Sequence, residues 1–164
     1  MKRLLILSGK GGTGKTTTAA FIQFSQSRAI ADCDVDAPNL HIVTEKTGEC
    51  RTKEFIGSKK AVIDETLCVH CGNCAEKCRF NAISDKGMSY GVDEYHCEGC
   101  GVCQYVCPND AVRLVEDVAG KQELYLGDTV FSTATLKMSR GNSGKLVTAV
   151  KLDMLKHAPE TELA

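Results

Sequence analysis

Eight of the ten cysteines in this 164-residue chain fall between positions 68 and 107, spaced as the ligands of a metal centre would be. They run Cys68, Cys71, Cys74, Cys78 and then Cys97, Cys100, Cys103, Cys107, each of the second set 29 positions after its counterpart. The register extends past the thiols: Asp64-Glu65 matches Asp93-Glu94, and Ala82-Ile83 matches Ala111-Val112, so one metal-binding unit occurs twice. A cubane iron–sulfur cluster needs four converging thiolates. Two-residue gaps within a tight loop supply three and turn backbone amides toward the sulfurs, and in this spacing the last cysteine ligates the other cluster. The spacing therefore predicts one 4Fe–4S cluster on Cys68, Cys71, Cys74 and Cys107, and a second on Cys97, Cys100, Cys103 and Cys78. A zinc ribbon built on two CxxC pairs would leave four of these eight thiols without a role. A disulfide framework suits a small secreted domain, and pairing within loops this short is disfavoured by geometry.

This stretch resembles the bacterial two-cluster ferredoxins. Pro108 follows Cys107 as that family's pattern asks, but Arg79 stands where the first proline would be. Ligation is unaffected by the change, which places a cation near a cluster, and the expectation is a raised potential there.

The other residues with chemistry to offer lie near the amino terminus. Leu4-Leu5-Ile6-Leu7 is an apolar run of the kind buried on both faces of a parallel sheet. It leads into Gly9-Lys10-Gly11-Gly12-Thr13-Gly14-Lys15-Thr16, which satisfies the phosphate-loop spacing. Gly9, Gly11, Gly12, Thr13, Gly14, Lys15, Thr16 and Thr17 are the expected nucleotide-binding residues. Lys15 faces the β- and γ-phosphates, and the Thr16 hydroxyl faces magnesium. A helix from about Lys15 to Ser25 should pack Ala20, Phe21 and Phe24 on the sheet. A second strand, roughly Arg28–Cys33, delivers Asp32 and Asp34 to the crevice where metal and attacking water would sit, with an Asx-rich turn before Pro38 as the plainer alternative.

The elements that must position these sites are bounded by composition. Apolar residues make up 43% of the chain, enough for a core, and the net charge of −1 offers no general attraction to nucleic acid or to an anionic membrane. Charge is uneven: residues 58–118 hold six Lys/Arg against ten Asp/Glu, a balance of −4, so the remainder carries +3. No run of eighteen apolar residues suggests a membrane span, and the short apolar run after Met1-Lys2-Arg3 is too brief for a signal peptide. Free thiols at this density imply a reducing compartment, so a cytoplasmic location is expected. Cys50 has no evident role, and His41, His70, His96 and His157 form no constellation. Leu146, Val147, Val150 and Met154 recur at helical spacing, giving a helix that ends before Pro159.

Lys10 within Lys-Gly-Gly-Thr-Gly-Lys-Thr resembles the deviant phosphate loop of the MinD-superfamily ATPases, and the whole chain resembles the subgroup with an inserted ferredoxin domain. The resemblance implies an α/β P-loop NTPase fold, like MinD and the nitrogenase iron protein, interrupted by an α+β bacterial ferredoxin-like domain. Its domains would be residues 1–57, 58–118 and 119–164. It also implies Lys10, Lys15 and Asp34 as catalytic residues, with Thr16 and Asp32 at Mg2+. ATP and Mg2+ would join the two 4Fe–4S clusters as cofactors. The implied partners are a second copy reached by Lys10, or a missing carboxyl-terminal half, and a redox or iron–sulfur client protein. The Asp-x-Pro-Pro-Gly segment of that subgroup does not occur before Ala164, so the expectation is a truncated P-loop domain. Three functions follow: nucleotide-coupled electron transfer, cluster assembly or carriage, and a ferredoxin-type electron carrier on a silent P-loop frame.

Overall fold

The structure is a computed structural model, and it describes residues 2–25, 28–158 and 164. In chain order the elements are α1 (Lys15–Ser25), β1 (Ala29–Ala31), α2 (Leu40–Val43), β2 (Glu49–Ile56), β3 (Lys60–Ile63), α3 (Asn73–Glu76) and β4 (Ile83–Asp85). There follow β5 (Tyr90–Val92), α4 (Val102–Tyr105), β6 (Val112–Val115), β7 (Val118–Leu126), β8 (Val130–Leu136) and α5 (Ser143–His157). They form two compact units. One comprises Met1–Phe55, Gly120–Met138 and Asn142–Ala164; the other comprises Ile56–Ala119 together with Ser139–Gly141.

The first unit is built on a sheet in the order β1-β8-β7-β2. β8 is rich in β-branched and aromatic residues and is buried along nearly its whole length, which suits a strand covered on both faces. It runs parallel to β1 and antiparallel to β7. α5 starts after Asn142, whose φ of 71° is left-handed, and it sets Leu146, Val150 and Met154 on one buried face. Phe131, Leu146 and Val150 are the large side chains fully enclosed in this unit.

This is not the doubly wound parallel sheet of a P-loop NTPase, because β8 has an antiparallel neighbour in β7. Leu4–Leu7 forms no strand, and Leu4, Leu5 and Leu7 are exposed. A strand buried on both faces needs neighbours to take its amides and carbonyls. Here Leu4 N–H donates to Ala164 O at 2.8 Å and Ala164 N–H donates to Lys2 O at 3.0 Å. The helix expected after the glycine loop is present as α1, but Phe24 is 91% exposed and Phe21 is exposed too, so they do not form the expected packing face.

The second unit repeats itself. β5 lies 29 positions after the last three residues of β3, β6 begins 29 after β4, and α4 lies 29 after α3. β3 pairs antiparallel with β6, and β4 pairs antiparallel with β5, so each ladder joins one strand from each repeat. Equivalent bonds close both ladders: Asp64 N–H to Ala111 O and Asp93 N–H to Ala82 O, each at 2.7 Å. Ala61, Cys74, Ala82, Ile83, Cys97, Cys103 and Val112 form the core between them.

Candidate metal centre

The repeat carries its backbone chemistry with it. Gly72 and Gly101 are counterparts with φ of 81° and 82°, and each opens the short helical turn, α3 or α4, that follows two of the cysteines. Asn81 and Asp110, also counterparts, hold φ of 52° and 51° just after the last cysteine of each run. Left-handed residues at these points reverse the chain tightly enough to bring distant thiols together.

Two cavities result. One is lined by Cys68, Cys71, Cys74 and Cys107, with Tyr90 and Val112 among its walls. The other is lined by Cys97, Cys100, Cys103 and Cys78, with Ala61 and Leu114 among its walls. Each therefore gathers three thiols from one repeat and the fourth from the other. Among the described residues no three His, Cys, Asp or Glu side chains are placed to hold a single metal ion. The thiols instead stand around the wall of a space, which is the arrangement a polynuclear cluster requires and a lone zinc does not.

Backbone amides already reach three of the sulfurs. Ala82 N–H donates to Cys78 Sγ at 3.4 Å, and its counterpart Ala111 N–H donates to Cys107 Sγ at 3.3 Å. Ala61 N–H donates to Cys97 Sγ at 3.4 Å. Such donors stabilise negative charge on a metal-bound sulfur. The counterparts Cys74 and Cys103 are buried while Cys71 and Cys100 are exposed. Burial pushes the Cys74 and Cys103 thiols above the ordinary cysteine range, so ligand binding there must displace protons. Donor set, enclosure and amide direction all fit iron–sulfur clusters.

The two sites are not identical. Tyr90 lines one cavity, whereas its counterpart in the other is Ala61, and the ring on that wall is Phe80 instead. His70 stacks on Tyr90 with ring centroids 4.8 Å apart, and its Nε2 lies 3.0 Å from Asp85 Oδ1. The hydrogen bond from Gly87 N–H, followed by that from His70, holds the Asp85 carboxyl below the ordinary aspartate range. Lys60 Nζ bonds the Cys97 carbonyl. Spacing alone gave no sign of Lys60 or of the His70–Asp85 pair, although the mismatch of Tyr90 with Ala61 is visible in the repeat. Arg79 is exposed.

The amino-terminal candidates lie elsewhere, in the first unit. Gly9, Lys10, Gly11, Gly12, Thr13, Gly14 and Thr17 are exposed, and Lys15 and Thr16 are half-buried at the start of α1. Thr16 Oγ1 donates to Asn39 Oδ1 at 3.0 Å. Asp32 is buried; its Oδ1 accepts from Asp34 N–H at 3.1 Å and its Oδ2 from Leu40 N–H at 3.0 Å. Asp34 Oδ1 accepts from Ala37 N–H at 3.2 Å. Both carboxylates thus organise the turn into α2.

A family model described as a 4Fe-4S dicluster domain matches residues 61–114. An uncharacterized ferredoxin of Methanocaldococcus jannaschii is 30% identical over 119 residues, 71% of this chain and 75% of that protein. The PorD subunit of pyruvate synthase from the same organism is 32% identical over 76 residues, 46% of this chain and 81% of that subunit. An uncharacterized protein of M. jannaschii is 31% identical over 164 residues, 96% of this chain, and the chain spans only about half of it, 56%. These matches overturn the expectation of a MinD-superfamily ATPase. The matching model is a 4Fe-4S dicluster domain and one of these relatives is named a ferredoxin, so the nucleotide-coupled function, with its ATP and Mg2+, has no support in these matches. By cysteine pattern and by likeness across most of a ferredoxin's length, the chain belongs to the dicluster ferredoxins.

Proposed function

We propose that this chain is an electron carrier in which eight of the ten cysteines hold two 4Fe–4S clusters, one on Cys68, Cys71, Cys74 and Cys107 and one on Cys97, Cys100, Cys103 and Cys78. The observation that carries the reading is the crossed lining of the two cavities, three thiols from one repeat and one from the other. When bound, each cluster supplies a reversible one-electron oxidation and reduction at low potential. The chain's own part is to hold the sulfurs, to direct the amides of Ala61, Ala82 and Ala111 at them, and to limit water with apolar walls. Those amides favour the more negative, reduced state and so help to set the potential.

The partner in this reading is an oxidoreductase that gives or takes single electrons. Support comes from the likeness to PorD, a subunit of pyruvate synthase. Chain prepared without oxygen and reconstituted with iron and sulfide should be brown and hold about eight irons and eight sulfides. After chemical reduction it should give the electron paramagnetic resonance signal of reduced, interacting 4Fe–4S clusters. Colourless protein without iron would end the proposal, and iron near one atom per chain would point to a mononuclear site.

A further inference from the structure

The two loops that enter the cysteine runs, Asp64–Cys68 and Asp93–Cys97, are counterparts, but they are anchored differently. In the first, Glu65 Oε1 accepts from Ser89 Oγ at 3.2 Å, a neutral partner within the repeat. In the second, Glu94 meets Arg140, a residue from the short Ser139–Gly141 segment that belongs to the same compact unit. Arg140 Nη2 reaches Glu94 Oε2 at 2.5 Å, and Nη1 donates to the Glu94 carbonyl at 3.0 Å. On its other side Nη2 donates to Asp117 Oδ1 at 3.3 Å, and Nε lies 2.8 Å from Asp117 Oδ2. That last pair is held by charge and not by an aligned hydrogen bond, since neither atom has a well-directed partner. The guanidinium also lies 5.6 Å from the centre of the Tyr95 ring. The Arg140 side chain is only 7% exposed.

We propose that Arg140 is a positioning residue for one of the two metal sites: it fastens the Asp93–Cys97 loop, and through it the retention and potential of the cluster on Cys97, Cys100, Cys103 and Cys78. The inference rests on the cluster assignment proposed above. The line of contacts is short. Arg140 pins Glu94 and Tyr95; next to them, Asp93 O accepts the Cys97 N–H at 3.0 Å, and Cys97 Sγ takes the Ala61 amide. The opposite end of the clamp is fixed, because Asp117 O accepts the Gly57 N–H at 3.0 Å. A planar, forked donor can serve two carboxylates and a carbonyl at once, whereas an ammonium group cannot reproduce that geometry.

The test compares reconstituted wild-type chain with Arg140→Ala and Arg140→Lys, each kept free of oxygen. Iron release to a chelator and the midpoint potential of each cluster are both measured. In Arg140→Ala about half the iron should leave on the order of tenfold faster while the other half keeps its wild-type rate. One potential should move and the other stay. Arg140→Lys should restore less than half of either change. In a Cys71→Ala background the effect of Arg140→Ala should persist, and in a Cys100→Ala background it should vanish. Equal acceleration of all the iron, or none, would overturn the inference. Should Arg140→Ala fail to fold, Glu94→Gln leaves the Asp117 pair intact and must show the same half-and-half release at smaller size, or the inference falls. Wild-type chain that takes up no iron would instead sink the cluster assignment itself, a separate result.

Discussion

At the scale of single residues, the crossed cavities make pairs of cysteines behave as groups. Cys107 lines the same cavity as Cys71, although the two are distant in sequence, and Cys100 lines the other. Cys107→Ala and Cys71→Ala should each lose about four irons, and the double variant should lose no more, because both strike one cluster. Cys107→Ala combined with Cys100→Ala should lose nearly all the iron. Iron analysis of the four variants reads this directly, and additive loss in the first pair would contradict the crossed assignment.

The two counterpart aspartates give a second residue-scale prediction. Hydrogen bonds from the Thr66 hydroxyl and amide hold Asp64 below the ordinary aspartate range. Contact with His96, then the Tyr95 amide, does the same for Asp93. A carboxylate depressed in the folded state contributes stability above its unfolded value, and the contribution is lost as pH falls through the folded value. The gap in urea midpoint between wild type and Asp64→Asn should therefore be full at neutral pH. It should close on moving below the ordinary aspartate value. A gap that stays constant into acid would mean the charge has no part in it.

At the scale of elements, backbone conformation decides what each loop tolerates. Gly99 holds φ of 66°, and a Cβ there would come within 1.9 Å of the Lys59 carbonyl oxygen. Gly99→Ala should cost at least ~2 kcal/mol, from left-handed strain plus displaced backbone. Its counterpart His70 accepts a similar φ of 54° as a non-glycine residue, with its ring held by Tyr90 and Asp85. Denaturation of the reconstituted chains gives the cost of the alanine directly.

In the first unit, α5 and α1 should respond in opposite ways. Leu146 is fully buried, so Leu146→Ala should destabilise by ~2–5 kcal/mol. Phe24 is exposed, so Phe24→Ser should move stability by less than ~0.5 kcal/mol. A large loss at Phe24 would mean that α1 is covered in solution. The same contrast shows what the sequence could disclose. The face of α5 is written in a local repeat of apolar residues, and the cysteine loops are written in a spacing that appears twice. Leu4–Leu7 reads as a buried strand by composition alone, but strand formation depends on neighbours that no local pattern records. Arg140 lies 46 residues from Glu94 and 23 from Asp117, so nothing in its vicinity marked it as part of the metal unit.

At the scale of the whole molecule, charge separates along the chain as clearly as structure does. Residues 58–118 carry −4 and the remainder +3. Glu76, Asp85, Glu98 and Asp110 are among the exposed carboxylates of the metal unit. Their summed field acts over roughly 10 Å at 0.1 M salt, the range in which a carrier and its partner orient before contact. The reduced chain should therefore pass electrons to a basic acceptor such as cytochrome c fastest at low salt, with the second-order rate falling about tenfold as salt rises from dilute to physiological strength. Placing arginines at Glu98 and Asp110 should flatten that dependence while leaving iron content unchanged, since neither side chain is a sulfur ligand. Stopped-flow traces at several ionic strengths provide the measurement. A rate indifferent to salt in the wild-type chain would mean that recognition rests on the apolar residues around the cavities, Phe80 and Val102 near one and Val69 near the other, and not on the acidic surface.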